Sequence, residues 1–185
     1  MLWGVPVRIL MGLAREDLLE SYTPKEGEQL RPGFRSPGLP LQWTGLTAEA
    51  PAICYNTLIG NETFAMQEPD KWETLAGPDF HLAFDIGPQL QLVDPASAPV
   101  GSGLLAGWTA AMGPTAAARF VKALAPNVAA VQTDAAEACR QVARGYSAAG
   151  IGVTRDALKM AAKGAPLDII IPTPVAYDMR GAALR

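Results

Sequence analysis

A stretch of small, polar and turn-forming residues, DPASAPVGSGLL at 94–105, interrupts the sequence between two apolar runs. It follows the strand-like run QLQLV and leads into a helix-like run. A helix that starts directly after a strand points free backbone N–H groups and the positive end of its dipole outward, which favours a bound anion. Glycine at 101 would allow a ligand to approach the backbone closely. The stretch is therefore a candidate solute site, with Ser97, Gly101 and Ser102 as its residues, and the alternative is an ordinary helix start.

The same arrangement occurs at two further points of the sequence. Gln132-Thr133-Asp134 and Val153-Thr154-Arg155 each join the end of a strand-like run to a helix-like run. If the three strands share a parallel sheet, all three junctions lie at its carboxyl edge, where open α/β sheets bind ligands. Arg155 is then a candidate partner for a carboxylate or phosphonate, with a solvated surface arginine as the alternative.

Two aromatic-polar pairs, Trp43-Thr44 and Tyr177-Asp178, lie at strand or loop ends. Rings with a polar neighbour suit the wall of a ligand site, although packing in the core or at a strand edge is equally consistent with the pattern. An acidic residue such as Asp178 would suit the amine of a zwitterionic ligand.

No motif indicates catalysis. The glycines at 101 and 103 match neither a dinucleotide fingerprint nor a phosphate loop with lysine, nor the spacing of a nucleophile elbow. The only histidine, His81, lies in the alternating run HLAFD, and we expect a structural or surface role for it. No carboxylates pair at a spacing typical of acid–base chemistry, so these residues give no strong argument for an enzyme, and none is predicted.

The two cysteines, Cys54 and Cys139, lie in a strand-like run and inside a helix-like run. We expect buried free thiols, since free cysteine is among the most buried residue types. No Cys/His spacing of a metal site is present, so neither a metal nor a cofactor is predicted.

Composition excludes several partners. The formal net charge is -3 and 18% of the residues are charged, without the basic patch that nucleic acid requires. No run approaches the roughly 20 apolar residues of a membrane span. The apolar N-terminus lacks a basic segment and a small-residue cleavage site, so it does not resemble a signal peptide.

Short strand-like runs alternate with helix-like runs, which indicates an α/β fold. The predicted strands are 43–49, 52–56, 89–93, 128–132, 148–153 and 168–171, and the predicted helices are 6–14, 69–76, 102–112, 114–125, 134–144 and 155–163. Asp134 to Glu137 resembles a capping box. Thr154 is expected to cap the start of the last helix, and Gly164 is expected to close that helix in a left-handed turn. The run DIII before Pro172 predicts a central, fully buried strand.

The order of several segments resembles that of ABC-transporter periplasmic substrate-binding proteins of type II, in the branch that binds iron(III), thiamine and 2-aminoethylphosphonate. The segments are DLLESYTP, QWTGL, ICYNT, PDKWETLAG, LVDPASAPVGSG, MGPTAAARFVKALAPNVA, GYSAAGIGVTRDALKMAAKGAPLDIIIP and AYDMRGAAL. The resemblance implies two α/β lobes joined by hinge strands, with a solute in the cleft between them. It also implies an incomplete lobe one: residues 1–88 supply part of lobe one with a hinge strand, 89–171 supply lobe two, and 172–185 supply the return strand.

The chain departs from the family pattern at the first junction. Family members usually carry Ser-Gly-Thr-Gly there, whereas this chain has Ala98-Pro99-Val100-Gly101, without the two hydroxyls and with a proline that lacks an N–H donor. No adjacent tyrosines follow Val153, so an iron(III) site is not expected.

The resemblance implies an extracytoplasmic protein that captures a small organic anion or zwitterion, such as a phosphonate, and delivers it to an ABC permease. Two alternatives stay open. One is an enzyme or sensor domain on the same fold that acts on a phosphorylated or carboxylated metabolite, and the other is a remnant that has lost its solute site.

Overall fold

The computed structural model describes residues 1–63, 69–77, 87–97, 99–173 and 177–185. Backbone contacts divide the chain into two compact units. The smaller unit is Met1–Glu49 with Asp178–Arg185, and the larger unit is Ala50–Tyr177. His81 and Ala98 lie outside the described residues.

The smaller unit contains a three-stranded antiparallel sheet and one helix. Its strands are β1 (Leu2–Pro6), β2 (Thr44–Glu49) and β8 (Asp178–Ala183), in the order β1-β8-β2. The helix α1 (Val7–Arg15) packs on this sheet through Val7 and Leu10. A short 3₁₀ turn, Gly27–Gln29, lies in the long connection to β2.

The larger unit contains a mixed five-stranded sheet in the order β5-β4-β6-β3-β7. Its strands are β3 (Pro51–Asn56), β4 (Leu90–Val93), β5 (Val128–Gln132), β6 (Ala149–Val153) and β7 (Leu167–Ile170). Strand β4 pairs in parallel with β5 and β6, whereas β3 is antiparallel to β6 and β7.

Four α-helices belong to the larger unit's described residues: α2 (Pro99–Met112), α3 (Pro114–Leu124), α4 (Ala135–Ala143) and α5 (Thr154–Ala161). Shorter helical segments are Leu58–Thr63, Glu73–Ala76 and Ala125–Asn127. No helix in the described ranges is both long and apolar enough to cross a bilayer.

Strand β3 separates two parts of the core because successive side chains of a strand point to opposite faces. Ile53 and Tyr55 join a cluster in which Trp72, Trp108 and Phe120 make edge-to-face ring contacts. Cys54 joins a second cluster, which includes Cys139, Val142, Ala157 and Leu167. The sheet is therefore covered on both faces, which explains why all six residues of β3 are buried.

Every predicted strand is present, and five of the predicted helices correspond to α1 and α2–α5, with boundaries shifted by up to three residues. Within 69–76 the helical residues are only Glu73–Ala76, as a 3₁₀ turn. Strand β1 was not predicted, because Gly4 and Pro6 interrupt its apolar alternation.

The prediction of a central strand at 168–171 is wrong, because β7 is an edge strand of the sheet. Asp168 is exposed, and Ile169 and Ile170 are only partly buried. An apolar run stopped by proline fits an edge strand as well as a central one. At the outer side of an edge strand the backbone N–H groups bond to no other strand, so proline, which has no N–H group, is tolerated there.

The prediction of free thiols is also wrong, because Cys54 and Cys139 form a disulfide. Both residues are buried as expected. Their pairing joins residues separated by 85 positions, so it depends on the approach of β3 and α4 and not on a local pattern.

Backbone contacts divide the chain at 49/50 and 177/178, and the lobe boundaries of 88/89 and 171/172 stay a prediction. Strand β3 lies within the segment predicted as lobe one, yet it pairs with β6 and β7 in the sheet of the larger unit.

Candidate functional site

Three parallel strands place the three predicted junctions at one edge of the sheet. Strands β5, β4 and β6 are neighbours in this order, and each leads into a helix at its carboxyl end. The three strands run parallel within the mixed sheet, which meets the condition set out for a shared edge. The backbone N–H of Asp94 donates to the carbonyl of Gln132 over 2.8 Å, so the first two junctions are adjacent. We call the residues that follow β4, β5 and β6 the carboxyl edge.

The first junction is organised by Asp94, which was not predicted as a site residue. Its carboxylate accepts hydrogen bonds from the Ala96 N–H, over 2.9 Å, and from the Ser97 hydroxyl. These hydrogen bonds lower the pKa of Asp94 below its ordinary value. The bond from the Ser97 hydroxyl has the larger effect and the bond from the Ala96 N–H the smaller one. Ser97 thus lies at the carboxyl edge as predicted, but its hydroxyl proton is used inside the turn.

Gly101 is needed for the chain's own packing. A Cβ at this position would lie 2.8 Å from the carbonyl oxygen of Asp94 and 2.9 Å from Cα of Pro95. The backbone of the turn therefore occupies the space that the sequence analysis assigned to a ligand. Ser102 is exposed in the first turn of α2.

The second junction carries Thr133, which is exposed, and Asp134. Asp134 caps α4 by accepting the Ala136 N–H over 3.0 Å, as predicted. The second half of the predicted capping box is not seen, because the Glu137 carboxylate pairs with Arg140.

A buried chain of amides lies behind this junction. The Gln132 amide donates to Oε1 of Gln91 over 2.9 Å, and the Gln91 amide donates to the Ser147 hydroxyl over 2.7 Å. Ser147 donates in turn to the carbonyl of Tyr146. These residues were missed by the sequence analysis, although the alternation of Gln and Leu in QLQLV signals a polar stripe on one face of β4.

The third junction begins with Thr154, whose hydroxyl and N–H both donate to the carbonyl of Ala50, over 2.8 and 3.0 Å. The predicted cap is wrong, because Thr154 is already helical and its hydroxyl is used by the chain entering β3. Gly164 closes α5 with φ of +88°, as predicted.

Arg155 is mostly exposed, and its Nε lies 3.4 Å from the Asp156 carboxylate. Asp156 also lies 3.8 Å from Lys159. Arg155 and Lys159 thus place two cations beside the Asp156 carboxylate at the third junction.

The other predicted residues lie elsewhere. Tyr177 is exposed at the end of the larger unit, and Asp178 begins β8 in the smaller unit, opposite Glu49. Trp43 and Thr44 are almost fully buried and line a cavity of about 400 Å³ within the smaller unit. The structure thus brings Ser97, Gly101, Ser102, Thr133, Thr154 and Arg155 together at the carboxyl edge, whereas Trp43 and Thr44 belong to a separate cavity.

Within the described residues, no three His, Cys, Asp or Glu side chains are placed to hold a metal ion.

The chain was compared with known proteins. No protein-family profile matches it. An uncharacterized protein of Haemophilus influenzae is 28% identical over 117 residues, which are 63% of this chain and 32% of the relative.

Solved structures match almost the whole chain. The periplasmic binding protein AfuA from Actinobacillus pleuropneumoniae, with exogenous fructose-6-phosphate bound, is similar with a TM-score of 0.77 and 22% identity, over 99% of this chain and 57% of AfuA. Iron-bound HitA from Pseudomonas aeruginosa gives a TM-score of 0.75 and 18% identity, over 98% and 57% of the two chains. A two-component system protein that mediates signal transduction is similar with a TM-score of 0.69 and 16% identity, over 90% of this chain and 52% of that protein.

These likenesses confirm the predicted α/β fold of type II periplasmic binding proteins. The chain spans little more than half the length of the solved structures that it matches.

Proposed function

We propose that this chain is part of an extracytoplasmic solute-binding protein that captures a small polar solute at the carboxyl edge and delivers it to an ABC permease. The observation that carries the proposal is the set of three adjacent parallel strands, each followed by a helix at the same edge. Open α/β sheets bind ligands at this edge. The similarity of the fold to periplasmic binding proteins supports a binding role over catalysis.

We further propose that the solute is a zwitterion with an ammonium group and an acidic group such as a carboxylate or phosphonate. The carboxylates of Asp94 and Asp134 supply acceptors at two junctions, whereas Arg155 supplies a cation at the third. The hydroxyl protons of Ser97 and Thr154 are already donated within the chain, so these oxygens can only accept from a solute.

The assignment of Trp43, Thr44, Tyr177 and Asp178 to the solute stays a prediction, and Trp43 and Thr44 line the separate cavity of the smaller unit. Asp178 is only partly exposed, and in this proposal its carboxylate accepts a hydrogen bond from the solute's ammonium. In this proposal the permease recognises the form of the protein that the solute stabilises.

The test is a titration of the chain with 2-aminoethylphosphonate, inorganic phosphate and fructose-6-phosphate, followed by calorimetry and thermal melting. We expect binding of 2-aminoethylphosphonate that is weakened about 10- to 100-fold by Thr133→Val, since a hydrogen bond to a charged ligand contributes about 1.5–3 kcal/mol. Thr115→Val is the matched control, because Thr115 is an equally exposed threonine in the first turn of α3. Tighter binding of phosphate than of 2-aminoethylphosphonate would contradict the proposed solute class, and equal effects of the two substitutions would contradict the site.

A sensor domain is the second candidate, because a signal-transduction protein shares this fold. Genes for a permease and an ATPase beside the gene for this chain would support transport, and a gene for a histidine kinase in their place would support sensing.

A further inference from the structure

Helix α4 is held to the sheet by a covalent bond. The chain contains two cysteines, and they form the disulfide Cys54–Cys139 between the middle of β3 and the middle of α4. Their Cα atoms are 5.5 Å apart, and both residues are 0% exposed. The bond therefore lies between the sheet and the helix, inside the larger unit.

Strand β3 holds α4 at a second point, one helical turn further on. Cys54 and Asn56 are two residues apart and so share a face of the strand. The side-chain amide of Asn56, which is 2% exposed, donates to the carbonyl of Val142 over 2.7 Å. One strand thus fixes both the middle of α4 and its C-terminal turn.

The surface beneath the helix leaves little freedom for its position. A Cβ at Gly152 of β6 would lie 2.5 Å from Sγ of Cys139 and 2.7 Å from the carbonyl oxygen of Ala135. The backbone of α4 therefore rests directly on the backbone of β6. A shift of the helix toward the strand would bring Cys139 or Ala135 into collision with β6.

The N-terminus of the same helix forms the second junction of the carboxyl edge. Three successive amides of α4 bond to Asp134: the Ala136 N–H to its side chain, and the Glu137 and Ala138 N–H groups to its carbonyl, over 3.0, 3.1 and 3.4 Å. Thr133, a proposed solute contact, is the adjacent residue. The position of α4 therefore determines the position of this part of the edge.

We propose that the Cys54–Cys139 disulfide is a positioning device that fixes the first turn of α4, and with it the second junction of the carboxyl edge. The effect on solute binding rests on the proposed function, whereas the effect on the helix does not. A disulfide of this kind persists in oxidising compartments, which agrees with the proposed extracytoplasmic location.

The first measurement establishes the bond in the protein. The purified chain is unfolded in urea and treated with iodoacetamide, and its mass is measured with and without prior treatment with dithiothreitol. Each dithiol passes two electrons and two protons to the cysteine pair and becomes a cyclic disulfide. We expect no adduct without the dithiol and two adducts after it, and two adducts in both samples would overturn the proposal.

The second measurement is hydrogen exchange followed by mass spectrometry on the peptide that covers Ala136–Ala138. We expect Cys54→Ala/Cys139→Ala to exchange these amides at least 10-fold faster than the unchanged chain, at a temperature where both are folded. Leu124→Ala is the control, because Leu124 is a buried residue of the aromatic cluster on the other face of the sheet. It lowers global stability without removing a contact of α4.

Unchanged exchange at Ala136–Ala138 in the cysteine variant, or an equal increase in the control, would overturn the proposal. If the double alanine variant does not fold, Cys54→Ala/Cys139→Val restores part of the lost volume and is measured in the same way. A further readout is the affinity for 2-aminoethylphosphonate, which we expect to fall at least 10-fold in the cysteine variant. Faster exchange with unchanged affinity would overturn the role in solute binding alone, and absence of binding by the unchanged chain would contradict the proposed function without affecting the exchange result.

Discussion

The two units of the chain differ in how completely they bury their apolar residues. The larger unit has a five-stranded sheet with core clusters on both faces, and strand β3 is buried along its whole length. The smaller unit has three strands, one helix and a cluster with five buried members. Trp3 remains 68% exposed and Met1 81% exposed beside its apolar cavity.

The difference follows from size, because a short chain buries a smaller fraction of the surface that its unfolded form exposes. The larger unit buries enough apolar surface to hold the N-termini of its helices in place, and these N-termini form the carboxyl edge. We therefore expect substitutions in the larger unit to cost more stability than matched substitutions in the smaller one. Four predictions test this comparison.

The largest effect is expected for Gly152→Ala in the larger unit. The new Cβ would meet a disulfide sulfur and a backbone carbonyl, neither of which can move aside. Such overpacking should lower the free energy of unfolding by about 4 kcal/mol or more. Urea denaturation followed by circular dichroism measures this value, and a loss under about 1 kcal/mol would show that α4 is not seated tightly on β6.

The next prediction compares one substitution in both units. Leu10 and Leu124 are buried to the same degree, so Leu10→Ala and Leu124→Ala remove the same atoms from similar solvent exposure. We expect a loss of about 3–4 kcal/mol for Leu124→Ala and about 2 kcal/mol for Leu10→Ala, because the smaller cluster can relax more easily around a cavity.

The tryptophans allow each unit to be followed separately. Trp3 and Trp43 belong to the smaller unit, and Trp72 and Trp108 belong to the larger unit. Chains that retain one pair each, with phenylalanine in place of the other, report the two transitions by fluorescence. Equal losses at Leu10 and Leu124 would remove the difference between the units.

Replacing two glycines of α2 by alanine should change stability by smaller amounts, and the two changes should have opposite signs. Gly101→Ala should destabilise the larger unit by about 1–2 kcal/mol, because its Cβ would press on the backbone of Asp94 and Pro95. Gly103→Ala should stabilise it by about 0.5–1 kcal/mol, since the position is open and alanine favours a helix. Thermal melting distinguishes the two, and the same sign for both would contradict the packing of the first junction.

The smallest effect is expected for Asp94→Asn and depends on pH. Hydrogen bonds from Ser97 and Ala96 lower the pKa of Asp94 in the folded chain, so this carboxylate adds stability above its ordinary pKa near 3.9. That contribution is lost as the pH falls through the lower folded-state pKa. The difference in Tm between the unchanged chain and the variant should therefore be constant from pH 5 to 7 and shrink below about pH 4. A difference that grows on acidification would reverse the assigned direction.

The sequence predicted most of the elements because alternation and helical periodicity are local consequences of which face of a segment is buried. The three junctions were found for the same reason, as polar and glycine residues between a strand-like and a helix-like run. The order of the segments also indicated the fold that the solved structures confirm.

The tertiary structure decided what these residues do. The disulfide requires Cys54 and Cys139 to approach from positions 85 residues apart, and the edge position of β7 depends on the order of all five strands. The hydroxyl protons of Ser97 and Thr154 are donated to partners that only the folded chain brings near, Asp94 across a turn and Ala50 from another strand. Local periodicity indicates which face of a segment is buried. It does not indicate which distant segments pair or which acceptor each hydrogen-bond donor finds, because these depend on distances that exist only after folding.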